Sequence, residues 1–151
     1  MTTLLSELVV LYLERELAEE DSPLERGTRR QLEELWSIVS ARLDKQWGVR
    51  ELAQRVNMSC SSFYRACHRS TGDSPKQMLV KLRMQRAEEL LRNYDYPLKI
   101  VADMLGYQSP FAFSNAFKRH KGMSPRDYRA LAEQALGEKG TPRRNRNNRE
   151  K

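Results

Sequence analysis

Arg65 and Asn115 stand 50 residues apart, each in the middle of a stretch whose neighbours can also hydrogen-bond, stack or carry charge. A guanidinium fork can give two parallel hydrogen bonds to guanine O6 and N7, and a carboxamide can do the same with adenine N6 and N7. Ser61, Tyr64 and His68 share a helical stripe with Arg65, as Phe111, Ser114 and Lys118 do with Asn115. Phe111 and Ala112 are apolar groups of the kind that pack on a thymine methyl. Arg69, Lys118 and Arg119 fall further along, better placed for phosphate oxygens than for base edges. The main-chain amides near Ser59 and Ser109 suit phosphate as well, provided each serine opens a helix.

Other chemistry finds little support. Cys60 and Cys67 are seven residues apart, which on a helix is about 10 Å of rise, beyond the roughly 7 Å that a disulfide spans between Cα atoms. His68 beside Cys67 does not make a metal site, because no C-x-x-C or H-x3-H spacing accompanies it. No metal and no cofactor are expected. The chain has no Gly-rich phosphate loop, S-x-x-K, paired catalytic carboxylates or nucleophile elbow, so an enzyme is not expected either. The longest apolar run, Leu8 to Leu13, is far short of the roughly 20 residues of a membrane span. With no cleavable signal pattern ahead of it, a cytoplasmic protein without a membrane partner is expected.

The elements that would position these residues emerge from an internal repeat. Residues 59–75, SCSSFYRACHRSTGDSP, align with 109–125, SPFAFSNAFKRHKGMSP, with seven identities in seventeen positions. Upstream, Val49, Leu52, Ala53 and Val56 match Leu98, Val101, Ala102 and Leu105 at an offset of 49, so the second copy has one extra residue in its turn. Each copy reads as a short helix, a tight turn and a second helix, that is, a helix-turn-helix. Ala53 and Ala102 are small where the two helices approach, and Asn57 or Gly106 supplies the left-handed residue that ends the first helix.

The phenylalanines test that reading. Phe111 and Phe113 are two apart, as on one face of a strand, whereas Phe113 and Phe117 are four apart, as on a helix. Ser109 as cap and Pro110 at the first helical position decide for a helix over 110–120. Phe113, Ala116 and Phe117 then point inward, as do Phe63, Ala66 and Cys67 in the first copy. Phe111 is left on the polar face, where it either packs on the neighbouring helix of its own unit or waits for a partner. Tyr64 reads equally as a packing residue or a groove contact, and Arg65 as a base reader or a solvated cation. His68 and His120 are read as surface residues.

The expected fold is all-α: two helix-turn-helix subdomains joined by a long linker helix and preceded by an N-terminal helical segment. The first unit spans about 48–71, the linker helix about 75–92 and the second unit about 98–121. Ser74 and Pro75 start the linker, with Met78, Leu79, Leu82, Leu90 and Leu91 inward. Residues 1–43 form the N-terminal segment, with one helix over 4–19 and another from Gly27 to about Leu43 burying Leu32, Leu35, Trp36, Val39 and Leu43. Residues 44–130 form the paired units, and 131–151 the end of the last helix, to about Leu136, with a disordered basic tail.

Charge follows the same division. Residues 1–43 carry 5 basic and 9 acidic side chains, 44–129 carry 16 and 8, and 130–151 carry 6 and 3, within a formal net charge of +7. The middle and the tail attract polyanions and the start does not.

With these residues on view, the stretch from about 45 to 130 resembles the paired helix-turn-helix domain of AraC/XylS-type bacterial transcription regulators. The second copy, LKIVADMLGYQSPFAFSNAFKRHKGMSPRDYR, looks like that family's signature, with its A-x-x-x-G-[FY]-x-[SD] turn, F-x-[RK] at Phe117 to Arg119 and G-x-[ST]-P-x-x-[FY]-R at Gly122 to Arg129. The resemblance implies two recognition helices held by one long helix and entering successive major grooves on one side of promoter DNA. It implies base contacts at Ser61, Tyr64, Arg65, Phe111, Ala112, Ser114 and Asn115. Ser61 is short, and Phe111 is apolar where other members often have a polar side chain, which shifts Phe111 toward thymine contact or DNA shape. Members usually carry a sensor domain ahead of this unit, so the first helix looks like the hinge end of such a regulator or a dimerisation helix, with packing on the core of its own chain as the alternative.

The expected function is a sequence-specific DNA-binding transcription regulator, an activator, with double-stranded promoter DNA as partner. Ser59, Arg69, Ser109, Lys118 and Arg119 would meet the DNA backbone. RNA polymerase and a second copy, joined through residues 1–20, are further candidate partners. Two other classes use the same features: a nonspecific nucleoid or RNA-binding protein, and a protein-interaction adaptor docking through the twin units and Phe111.

Overall fold

The structure, a computed structural model, describes residues 7–10 and 23–137, all of its regular elements being helical. Of the helix expected over 4–19, only residues 7–10 are described; they are helical, with Leu8, Val9 and Val10 all exposed. The tail from residue 138 onward lies outside the described residues.

Helix α1 (Pro23–Ala41) buries Leu32, Leu35, Trp36 and Val39 along one stripe. It begins ahead of Gly27 rather than after it. Proline at the first helical position is pre-set for a helix, and a glycine interior to a helix costs only about 1 kcal/mol. Thr28, within the helix, donates its hydroxyl to the Leu24 carbonyl oxygen at 3.1 Å. The helix also stops at Ala41, two residues short of Leu43, which is nonetheless buried in the following turn.

The first repeat comprises α2 (Val49–Arg55) and α3 (Cys60–Thr71), and the second α5 (Leu98–Met104) and α6 (Pro110–Lys121). Asn57 at φ 55° and Gly106 at φ 77° make the left-handed turns, and Ala53 and Ala102 are buried where each helix pair closes. Between the repeats runs α4 (Pro75–Asn93), opened by a capping box in which the Ser74 hydroxyl accepts from the Gln77 amide and the Gln77 side chain accepts from the Ser74 amide. Helix α7 (Pro125–Gly137) closes the described chain.

The inward stripe of α4 differs from the expected one. Leu79, Leu90 and Leu91 are buried, but Met78 and Leu82 are only half-buried, and Arg83, Met84 and Ala87 occupy the centre. Helix α4 packs on α1, α3 and α7, so it is covered from several sides and its stripe is wider than one leucine row.

One continuous core links the two repeats. Trp36 of α1 covers Phe63 of α3 with ring centroids 6.3 Å apart. In the second unit Tyr107, Phe113, Phe117 and Tyr128 form a row of ring contacts at 5.6, 5.9 and 5.4 Å. Phe63, Phe113 and Phe117 are all at 0% exposure, each contributing roughly 1.5–3 kcal/mol by burial. These rings set the rotation of α3 and α6 about their own axes, and so decide which residues face out.

Candidate nucleic-acid interface

Helices α3 and α6 are built alike. Each has twelve residues, a serine N-cap and a left-handed glycine C-cap, Gly72 at φ 76° and Gly122 at φ 77°. The Ser59 hydroxyl accepts from the Ser62 amide at 3.2 Å and the Ser109 hydroxyl from the Ala112 amide at 3.0 Å. Each cap thereby occupies one amide of its helix start; in α3 the earlier amides of Cys60 and Ser61 stay directed outward, whereas in α6 Pro110 has no N–H and leaves that of Phe111 alone.

With the phenylalanines locked inward, the opposite faces are set. In α3, Ser61, Tyr64, Arg65, His68 and Arg69 are all exposed. In α6, Phe111, Asn115, Lys118 and Arg119 are exposed, while Ala112 and Ser114 are half-buried. Phe111 is 76% exposed, so it does not pack on its own unit, and Tyr64 at 51% is about half exposed. In aligned positions the two units thus present Ser61 with Phe111, Tyr64 with Ser114, Arg65 with Asn115 and His68 with Lys118.

The cations divide by whether they are already engaged. Arg65, Lys118 and Arg119 have no ion-pair partner among the described residues, whereas Lys121 is paired with Glu88 of α4 and Lys81 with Asp73 at 3.4 Å. Arg69 lies 4.0 Å from Glu25 of α1 with its side chain 80% exposed, a contact worth little and easily exchanged for another anion. The cluster Lys118, Arg119, His120 and Lys121 in the last turn of α6 also complements the helix dipole, which is reason enough for basic residues there without a ligand. Asp73, Lys76, Gln77, Val80, Lys81 and His120 line a groove of about 450 Å³, which brings the trailing end of α6 beside the α3–α4 junction.

Arg83 and Gln46, which have a hand in this geometry, escaped the sequence reading, and the motif that ends at Arg129 gave that residue no structural role. Arg83 of α4 is 9% exposed and its guanidinium donates to the Lys45 carbonyl oxygen at 3.2 Å, and burial lowers its pKa. Gln46 donates its carboxamide to the Gly106 carbonyl oxygen, and Arg129 donates to the Tyr96 carbonyl oxygen. For Arg83 a signal existed: it sits four residues after Leu79 and four before Ala87, in the register of a buried stripe. Of the thiols, Cys60 is exposed beside the α3 cap, and Cys67 is buried, which pushes its pKa up to about 11. The described residues contain no group of His, Cys, Asp or Glu that could hold a metal ion.

These features define a class: an all-helical protein in which two helix-turn-helix units share a central helix, each offering one capped helix with an exposed, polar outer face. Known proteins agree. A family model described as a helix-turn-helix domain matches residues 52–131. The chain is 36% identical over 81 residues to the raffinose operon transcriptional regulatory protein RafR of Pediococcus pentosaceus, covering 54% of this chain and 29% of that one. It is 34% identical over 88 residues to the RCS-specific HTH-type transcriptional activator RclR of Escherichia coli K12, covering 58% and 31%. Among solved structures, the DNA-binding domain of the global transcriptional factor AdpA, in complex with a target DNA, matches with a TM-score of 0.67 at 34% identity, over 71% of this chain and 96% of that one. A regulator from Chromobacterium violaceum with an AraC-type DNA-binding domain matches with a TM-score of 0.66 at 25% identity, over 72% and 97%.

The chain belongs to the AraC-type helix-turn-helix family of transcription regulators. It spans about a third of the length of the curated relatives it matches.

Proposed function

We propose that this protein is a sequence-specific DNA-binding activator of transcription that places α3 and α6 in successive major grooves of promoter DNA. The observation that carries the reading is the matched pair of outward faces. Two helices with the same caps and the same buried rings expose Arg65 and Asn115 at aligned positions, each flanked by groups suited to base edges. Arg65 is assigned to guanine, Asn115 to adenine, and Phe111 with Ala112 to a thymine methyl. Ser61, Tyr64 and Ser114 complete the base-facing set. Lys118, Arg119, Arg69 and the helix starts at Ser59 and Ser109 take the phosphates.

The dimensions support one chain reading two grooves. Helix α4 has nineteen residues and so is about 28 Å long, which with the width of the recognition helices suits a groove repeat of about 34 Å. The comparisons bear on activation as well, since RclR of Escherichia coli is an activator. RNA polymerase is assigned as a partner on the same ground, and a second copy is assigned to the helical, apolar stretch that includes Leu8, Val9 and Val10.

Selection of duplexes by the purified chain from a random pool tests the proposal. Enrichment of a bipartite site, its halves one helical turn apart, is the expected result. Binding that follows salt alone, with no enriched sequence, would make the protein a nonspecific polyanion binder. Absence of duplex binding at modest salt would leave a protein-docking role.

A further inference from the structure

We infer that Arg83 and the loop over 43–46 form a clamp that fixes the rotational phase between α3 and α6, so that the number of base pairs between the two contacted grooves becomes part of this protein's specificity. The inference rests on the DNA-binding reading above and names what that reading leaves open, the element that sets the relation of one reader to the other.

Helix α4 and the apolar core continuous with it join the two units, but non-directional contacts of that kind do not by themselves fix how each unit is rotated about the helix. The clamp supplies a directional, polar connection. From the centre of α4, Arg83 reaches the loop ahead of the first unit, donating to the Lys45 carbonyl oxygen at 3.2 Å. The same guanidinium lies over the Tyr107 ring of the second unit at 5.6 Å. Gly106 approaches so closely that a Cβ there would be 2.7 Å from the Leu43 carbonyl oxygen and 2.9 Å from Arg83 Nη2. Gln46 closes the ring of contacts by donating to the Gly106 carbonyl oxygen.

Both ends of the clamp continue to a recognition helix. On one side Lys45 pairs with Glu51 of α2, which packs on α3. On the other, Tyr107 lies against Phe113 of α6 at 5.6 Å.

Stability alone does not account for an arginine in this place. Its Nε is buried with no hydrogen-bond partner, and no carboxylate pairs with the guanidinium among the described residues. Apolar side chains often replace buried ionic groups without loss of stability. What an apolar residue cannot do is hold a carbonyl of one unit and a turn of the other in fixed register. One base pair adds about 3.4 Å and about 35° between half-sites, so a rigid phase penalises every spacing but one.

The test uses the full chain and the duplex it selects from a random pool, together with derivatives in which one base pair is inserted or deleted between the half-sites, and each half-site alone. For the unaltered chain a one-base-pair change should weaken binding about tenfold or more, that is, by about 1.4 kcal/mol or more. In Arg83→Met that penalty should fall to about threefold or less while affinity for each isolated half-site stays unchanged, and Arg83→Lys should restore part of it. Gln46→Ala, at an exposed position, should reduce the penalty in the same direction, and it decides the matter if thermal melting shows Arg83→Met to be unfolded. A full spacing penalty in a folded clamp variant, or no penalty in the unaltered chain, overturns the clamp. Failure to enrich any site overturns the DNA-binding reading instead.

Discussion

Replacing Gly106 by alanine should be far more damaging than the same change at Gly72 or Gly122. All three glycines have nearly the same left-handed backbone, φ 77°, 76° and 77°, so the intrinsic cost of forcing alanine into that region, about 1–2 kcal/mol, is common to them. A smaller unfolded-state entropy returns about 0.4–1 kcal/mol of it, leaving roughly 1 kcal/mol for Gly72→Ala and Gly122→Ala, where nothing lies within 4 Å of the new Cβ. At Gly106 the new atom would sit 2.7 Å from the Leu43 carbonyl oxygen and 3.1 Å from that of Asp44. Neither is a side chain that can rotate away.

The loop must therefore retreat, with overpacking strain of about 1–3 kcal/mol and loss or weakening of the Arg83 to Lys45 hydrogen bond, worth about 1.5–3 kcal/mol for a charged donor. Together Gly106→Ala should cost about 3.5–7 kcal/mol, a large part of the roughly 5–15 kcal/mol that holds a domain of this size. Equilibrium unfolding in urea of the three variants, at equal denaturant slope, measures the difference directly. If Gly106→Ala falls within about 0.5 kcal/mol of Gly122→Ala, the close packing of the loop on the second turn is wrong.

Arg65→Ala should cost about 1–3 kcal/mol against the selected site, relax preference at one base pair and leave random-sequence binding nearly unchanged, as titrations on both duplexes would show. Lys118→Ala should weaken all sequences alike and reduce the salt slope by about 1 in a plot of log affinity against log salt. Phe113→Ala, at 0% exposure, should destabilise the chain by about 3–5 kcal/mol by urea unfolding. Stability should also fall as pH rises from about 9 toward 11, because burial raises the Cys67 thiol to about 11 and raises Tyr107 too. The unfolded chain releases those protons first, so their contribution is complete below the unfolded value and vanishes as pH passes the folded one. Cys67→Ala should make the decline measured by urea unfolding shallower.

The helices and their outward faces were legible because they depend on short-range signals. Ser109, Pro110 and the four-residue step from Phe113 to Phe117 are enough to set α6, and the repeat carries the same frame to α3. Capping chemistry and helical period act over a turn or two, and both survive folding unchanged. The start of α1 differs from the expectation because two local signals compete there. Gly27 costs only about 1 kcal/mol inside a helix, and Pro23, pre-set for the first helical position, starts the helix ahead of it. Arg83 was missed because a charged side chain in a buried register looks like an interruption of the stripe. Its acceptor, the Lys45 carbonyl, lies 38 residues away in sequence, and no periodicity reports a partner at that distance.

The clamp also explains why the two repeats differ at the turn. Both require a left-handed residue after the first helix, and the first repeat uses Asn57 at φ 55°, a residue that tolerates that region. Asn57 is exposed, and its side chain has water to project into. The second turn meets the loop over 43–46 and the tip of Arg83, so even a methyl group has no room, and glycine is the one residue that fits. The repeats are therefore alike in the helices that face outward and unlike at the turn that receives another part of the chain. That asymmetry has a direction: the loop reaches from ahead of the first unit to the second one.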